Sequence, residues 1–241
     1  LLPCATLAGV RDAVESGRAV DAVVPIENSL AGTVPHAYEL IVDAALTVRA
    51  EARIRIDHML IGGRGATLDG IRTVHSHPVA LNQCRQFLAA RGIDAVPAFD
   101  TAGAVAAVVS GGDPSSAAIA SRRAAELHGG DILAERIQDY PDNWTRFLHL
   151  VPGAPAHVGQ KAIASFRLRH EPGSLSRALA ALALDGANLT KIESRPIADR
   201  PFEYAFVIEL ESAGPRDWSP VVAALAPVAV APRLVAAYDA Y

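Results

Sequence analysis

The chain has only two cysteines, Cys4 and Cys84, and they do not form a C-x-x-C pair. That argues against a disulfide scaffold and a redox motif and suits a reducing compartment. No apolar run is long and uninterrupted enough to span a bilayer. No block of Lys and Arg stands out and the formal net charge is −4, so neither nucleic acid nor an anionic membrane surface is favoured as a partner. The opening Leu1-Leu2-Pro3-Cys4 lacks the charged start and apolar body of a signal peptide. A cytoplasmic protein is expected, and Asn143-Trp144-Thr145 and Asn188-Leu189-Thr190 are then chance sequons. Apolar residues are plentiful: 51% of 241 residues are hydrophobic and 20% charged, enough to bury the core of one large domain or two ordinary ones.

Residues 6–15 read as an amphipathic helix, with Thr6 as N-cap, Leu7, Val10 and Val14 on one face and Gly17 as a stop. A short buried strand is expected over 20–26, then a helix over 33–42. From 48 to 60 every even position is apolar or His, the clearest period-2 signal in the chain, and a strand of that length can run from one lobe into another. Gly62-Gly63-Arg64-Gly65 ends it, too short and wrongly spaced for a phosphate loop. Strands at 71–75, 95–99 and 117–120 then alternate with helices opened by Pro78, Asp100-Thr101 and Ser121, an order that argues a mostly parallel sheet. A further strand covers 145–151, and Pro152-Gly153-Ala154-Pro155 reads as a linker. Beyond it the order β-α-β-β-α-β is the ferredoxin-like pattern, whose open edges invite pairing with a second copy.

Several polar groups fall at element ends. Glu27-Asn28-Ser29 closes a strand, where open α/β sheets bind ligands, although a simple turn explains it equally well. Ser76-His77-Pro78 with Gln83 forms a second polar group, and Asp100-Thr101 a third, each also readable as a helix cap. His75 and His77 share a strand face without a third metal ligand at useful spacing, so no metal is expected. Thr145-Arg146-Phe147 places a hydroxyl donor beside a permanent cation where a polar loop enters an apolar strand. Successive strand residues point to opposite faces, so the pair serves one ligand only if the strand end bends or the cleft wraps it.

In order and spacing, Val24-Pro25-Ile26-Glu27-Asn28-Ser29, Ser76-His77-Pro78-Val79-Ala80-Leu81-Asn82-Gln83-Cys84, Asp100-Thr101-Ala102 and Asn143-Trp144-Thr145-Arg146-Phe147 resemble the prephenate dehydratase family. Gly173-Ser174-Leu175 and Asn188-Leu189-Thr190-Lys191-Ile192-Glu193-Ser194-Arg195-Pro196 are similar to its ACT regulatory domain. The family's opening strand and Gly-Thr-Phe segment are not found in this sequence, and Val79 stands where the family usually has Gln. The resemblance implies an α/β fold: a two-lobed catalytic region like a type-II periplasmic binding protein over 1–152, with its second lobe at about 62–140, and an ACT domain over 153–241. It implies conversion of prephenate to phenylpyruvate without a cofactor, in a cleft between the lobes. Thr145 would be the donor to the leaving hydroxyl and Arg146 the carboxylate anchor. Asn28, Ser29, Ser76, Gln83 and Thr101 would line the site, Glu27 would orient its neighbours, and Phe147 would pack under the ring. L-phenylalanine would bind as feedback inhibitor near Gly173, Ser174, Leu175, Asn188, Leu189, Glu193, Ser194, Arg195 and Pro196, between subunits of a homodimer or homotetramer. Arogenate dehydratase and a non-catalytic amino-acid sensor are the competing readings.

Overall fold

The computed structural model describes residues 1–42, 46–197 and 200–239. Its first part runs α1 (Leu7–Glu15), β1 (Ala22–Asn28), β2 (Gly32–Thr33), α2 (Ala37–Val42), β3 (Leu46–Arg55) and β4 (Met59–Gly62). Then come β5 (Thr73–Ser76), α3 (Pro78–Gln83), α4 (Arg85–Arg91), β6 (Asp94–Pro97), α5 (Thr101–Gly111), β7 (Ser116–Ala120), α6 (Arg122–His128), β8 (Asp131–Ala134) and β9 (Trp144–Pro152). The last part is β10 (Val158–Arg167), α7 (Ser174–Leu184), β11 (Asn188–Ile197), β12 (Arg200–Asp217), α8 (Ser219–Ala223) and β13 (Val230–Tyr238). Among the described residues no helix is long and apolar enough to cross a membrane.

The chain divides into two compact units: Leu1–Glu27, Thr33–Arg53 and Arg146–Tyr241 form one, and Asn28–Gly32 with Ile54–Thr145 form the other. The second unit holds a five-stranded sheet in the order β6-β5-β7-β4-β8. Its helices start where the caps predict. Asp100 accepts from Gly103 N–H at 2.6 Å and Ser121 from Ala124 N–H at 3.2 Å, each satisfying a donor the first helical turn leaves open. The helix expected from Pro78 to residue 90 is broken at Cys84 into α3 and α4, yet Leu81, Cys84 and Leu88 all face the core. Burial pushes the Cys84 thiol up to about 12, so it is a packing residue with no thiolate at neutral pH. The sheet is only half parallel. β5 runs parallel to β6 and β7, but β4 is antiparallel to β7 and to β8, a strand the sequence pattern did not reveal.

The first unit carries two sheets, β2-β1-β9-β3 and the all-antiparallel β11-β12-β10-β13, the latter with ferredoxin-like β-α-β-β-α-β connectivity. One face of the ferredoxin-like sheet buries Ala162, Ala164, Phe166, Ile208 and Leu210 with Ala178 and Leu182 of α7 and Val221 and Val222 of α8. Its other face supplies Ile163, Val207, Val235 and Ala236 to a core shared with Val24, Ile26, Tyr38, Leu148 and Leu150. The central strand β10 is therefore buried on both faces and reads as an apolar run. Gly159 allows β10 to approach β13: a Cβ there would lie 2.5 Å from Tyr238 N. The linker over 152–155 thus joins two sheets of one compact unit.

Two expectations shift for local reasons. Pro35 keeps Val34 out of helical geometry, so the helix predicted over 33–42 begins only at Ala37. The period-2 stretch over 48–60 is two strands, β3 and β4, in different sheets. Within β3 the apolar face is also not the buried one throughout: Glu51 is 3% exposed while Ile54 is 52% exposed. Glu51 is inside because cations meet it there.

Candidate active site

Asn28, at the end of β1 in the second unit, is oriented by its own turn. Its Oδ1 accepts from the backbone N–H groups of Leu30 at 3.0 Å and Ala31 at 2.9 Å. An N–H can only donate, so the amide has one allowed orientation and Nδ2 faces the start of β9. There Nδ2 donates to Asn143 Oδ1 at 2.7 Å, Thr145 Oγ1 at 3.0 Å and Trp144 O at 3.1 Å. Gln83 continues the chain of amides. Its Nε2 donates to Asn28 Oδ1 at 3.2 Å, which leaves Oε1 to accept from Asn143 Nδ2 at 3.0 Å and from His58 Nε2 at 2.8 Å. The carboxamide oxygen cannot donate, so His58 carries a hydrogen on Nε2, and burial lowers its pKa and favours the neutral ring. Ser29 closes the same corner: its N–H donates to Trp144 O at 2.8 Å, and its Oγ accepts from Trp144 N–H at 2.9 Å.

The loop before Thr145 is stitched to the junction of α3 and α4. Asp139 accepts from Gln86 N–H at 3.0 Å through its carboxylate and donates its own N–H to Gln83 O at 2.7 Å. Beside Gln83 lies a cavity of about 440 Å³ lined by Leu30, Ala31, Pro78, Val79, Asn82 and Gln83 with Asp139 and Tyr140. That volume suits a small-molecule ligand.

Asn28, Ser29, Gln83 and Thr145 are therefore brought together. Asn143 and His58, absent from the predicted set, belong with them; His58 was visible only as the one polar member of the apolar face over 48–60. Ser76 and Thr101 stand outside this hydrogen-bonded group among the described residues. Ser76 is fully buried and gives its hydroxyl hydrogen to Ile119 O at 2.6 Å, which ties β5 to β7. Thr101 opens α5 behind its Asp100 cap.

Arg146, the next residue after Thr145, faces the other way and lies in the first unit. Its guanidinium is 3.1 Å from Glu27, 3.3 Å from Glu51 and 2.7 Å from Glu209. Lys161 pairs with Glu51, Lys191 with Glu27 at 2.6 Å, and Tyr38 donates to Glu209. Three buried cations thus meet three carboxylates, and the exposed Arg53 adds a longer contact to Glu51 at 3.6 Å. Burial works against charge on Arg146, but its hydrogen bond and charge attraction to Glu209, with smaller contributions from Tyr238 and Tyr38, together outweigh it and the pKa rises. Burial likewise raises Glu27 and Glu51, yet Lys191 and Arg146 hold the first, and Lys161 and Arg146 the second, below the ordinary carboxylate value. Arg146, expected as the anchor for a substrate carboxylate, is 9% exposed and its fork meets three protein carboxylates. Phe147 returns to the Thr145 side of β9 and is half-buried.

In the ferredoxin-like module, Gly173 adopts the left-handed conformation at φ 78° that starts α7. Ser174 and Leu175 line a cavity of about 160 Å³ with Arg169, His170, Tyr204 and Phe206. Asn188, Leu189, Glu193, Ser194, Arg195 and Pro196 are spread along the edge strand β11, where Arg195 pairs with Glu39 of α2.

A sequence profile of the family described as prephenate dehydratase matches residues 1–153. The chain is 39% identical over 215 residues to the bifunctional N-acyl-homoserine lactone acylase/prephenate dehydratase of Komagataeibacter europaeus, covering 87% of this chain and 76% of that protein. It is 40% identical over 228 residues to the chloroplastic arogenate dehydratase/prephenate dehydratase 1 of Arabidopsis thaliana, covering 88% of this chain and 58% of that protein. Among solved structures, the prephenate dehydratase of Arthrobacter aurescens in complex with L-Phe superposes with a TM-score of 0.85 at 30% identity, over 99% of this chain and 81% of that one. With its motifs in register and its fold shared, the chain belongs to the prephenate dehydratase family, carbon–oxygen lyases of phenylalanine biosynthesis.

Proposed function

We propose that the protein converts prephenate to phenylpyruvate, with Thr145 as the donor to the leaving hydroxyl. The observation that carries this reading is the bond from Asn28 Nδ2 to Thr145 Oγ1. It occupies a lone pair of the hydroxyl and leaves the hydrogen free to point at a ligand, and donation into Oγ1 strengthens the hydroxyl as a donor. In the reaction the bond to the ring carboxylate breaks, its electron pair enters the ring, and the C–O bond breaks with its pair departing on oxygen. Carbon dioxide and hydroxide leave, the hydroxide taking up a proton from solvent to become water, and the ring becomes aromatic, so no cofactor is needed. A Thr hydroxyl is a weak acid, so its benefit comes from orientation and a hydrogen bond that tightens as charge develops. Ser29, Gln83 and Thr101 would supply further polar contacts, Phe147 would pack against the ring, and the cavity beside Gln83 would receive the substrate.

Phenylalanine is proposed as the regulator. The supporting observations are the L-Phe named with the Arthrobacter structure, the Ser174–Leu175 cavity, and the open edge of β11, which suits pairing with a second copy in a homodimer or homotetramer. The cytoplasm is the expected compartment. The test is to incubate the full-length protein with prephenate, with arogenate and with an N-acyl-homoserine lactone, following each product with and without phenylalanine. Phenylpyruvate from prephenate, diminished by phenylalanine, is expected. Faster turnover of arogenate would reassign the substrate, and no turnover of any of the three would sink the enzymatic reading in favour of a sensor.

A further inference from the structure

Of the four places where the chain passes from one unit to the other, two lie between Glu27 and Asn28 and between Thr145 and Arg146. On the second-unit side of these crossings stand Asn28 and Thr145, joined by a hydrogen bond. On the first-unit side stand Glu27 and Arg146, joined by an ion pair. Each of the latter is also held by the ferredoxin-like module: Glu27 by Lys191 of β11 at 2.6 Å and Arg146 by Glu209 of β12 at 2.7 Å. The result is an unbroken line Lys191–Glu27–Arg146–Glu209, backed by Tyr38, which donates to Glu209 while its ring centre lies 5.8 Å from Lys191 Nζ.

Composition sets these positions apart. Of the 22 basic side chains only Lys161 and Lys191 are lysines, and both end on carboxylates of this cluster. Arginine forks across Glu27, Glu51 and Glu209, and each lysine adds a single point charge to the carboxylate oxygen left over. Stability alone explains such a cluster poorly, because well-packed apolar residues of similar volume do as well. Fixing the geometry of two strand ends is a different task, and it needs directional partners.

We propose that Glu209 and Lys191 are positioning residues for the reaction: from the ferredoxin-like module they hold Arg146 and Glu27, and through them the strand ends that present Thr145 and Asn28. The proposal rests on the reading of Thr145 and Asn28 given above. It also provides a direct line by which a ligand on the module, near β11, would change turnover.

The test compares E209Q, K191M and K191R with the wild type in the full-length protein, by steady-state kinetics and by hydrogen exchange of the peptides covering residues 26–29 and 144–147. E209Q and K191M are expected to lower kcat about ten- to a hundredfold with KM changed less than about threefold, as misplacement of a reacting group does. Exchange at both strand ends should rise, and K191R should restore most of the loss. A folded K191M with wild-type kcat overturns the proposal, and so does a loss of kcat with unchanged exchange at both strand ends. Should E209Q fail to fold, K191M carries both readouts, since its partner Glu27 is a third exposed. If the wild type turns over neither prephenate nor arogenate, the functional reading fails on its own, while unchanged exchange in K191M still overturns the positioning role.

Discussion

Asn28 and Thr145 sit among neutral amides, whereas Glu27 and Arg146, their neighbours in the chain, sit among charges. The same two strand ends feed both groups because successive strand residues point to opposite sides. In the amide group each member is a weak donor or acceptor with a fixed orientation, and exchanging a partner for a ligand is inexpensive. In the charged group every member but Glu27 is largely withdrawn from water, and opening a pair among the buried members strands a charge. The first arrangement suits contact with a substrate and the second suits holding still.

The comparison breaks most visibly at Thr145. Thr145→Ala should lower kcat by about 10²- to 10⁴-fold with KM nearly unchanged, while Thr145→Ser retains much of the activity; equal kcat in Thr145→Ala would place the chemistry elsewhere. Arg146→Met should act on stability first, by about 3–5 kcal/mol in urea unfolding, because three carboxylates lose their shared cation. A cost under about 1 kcal/mol would mean the cluster is not held as a unit. Asn28→Asp replaces the donor facing Thr145 with an acceptor and should cost kcat about tenfold, with KM giving the sharper view of any added repulsion to an anionic substrate.

The smallest effect is expected in acid. Glu51 has a folded pKa below its ordinary 4.5, so its ionisation adds stability that is present above 4.5 and is lost as pH falls through the folded value. Glu51→Gln should therefore be less stable than the wild type at pH 7, with the gap closing below pH 4.5. A gap constant down to pH 3 would contradict the charge assignment.

Local chemistry made much of this architecture legible. Thr6, Asp100 and Ser121 marked helix starts because a short polar side chain before an apolar run has one efficient use, and Pro78 marked another. The ferredoxin-like order was equally readable from period changes alone. β8 was missed because four residues after a double glycine carry too little pattern to separate a strand from a turn. The face of β3 was misread beyond residue 50 because alternation identifies two faces without saying which is buried, and a carboxylate with two cations can be inside. At the site, motif residues Asn28, Gln83 and Thr145 share one hydrogen-bonded group, whereas the contacts of Arg146 were not legible in the sequence. Its partner Glu209 is 63 residues away, and no local periodicity connects them. Asn143 was visible within a motif yet unassigned, since only the amide geometry shows that it bridges Asn28 and Gln83.

The shared core of the two sheets in the first unit bears on how this protein can be cut and recombined. A gene truncated at the linker over 152–155 would remove Ile163, Val207, Val235 and Ala236 from above Leu148 and Leu150, and with Glu209 and the two lysines it would remove half the partners of the charged group. What remained would expose an apolar sheet face to water, with Glu27 and Glu51 left to share Arg146 beside it. Exchange of the C-terminal module between relatives would accordingly have to carry its contact face along, so that the segment proposed as regulator is also a structural wall for the sheet it covers.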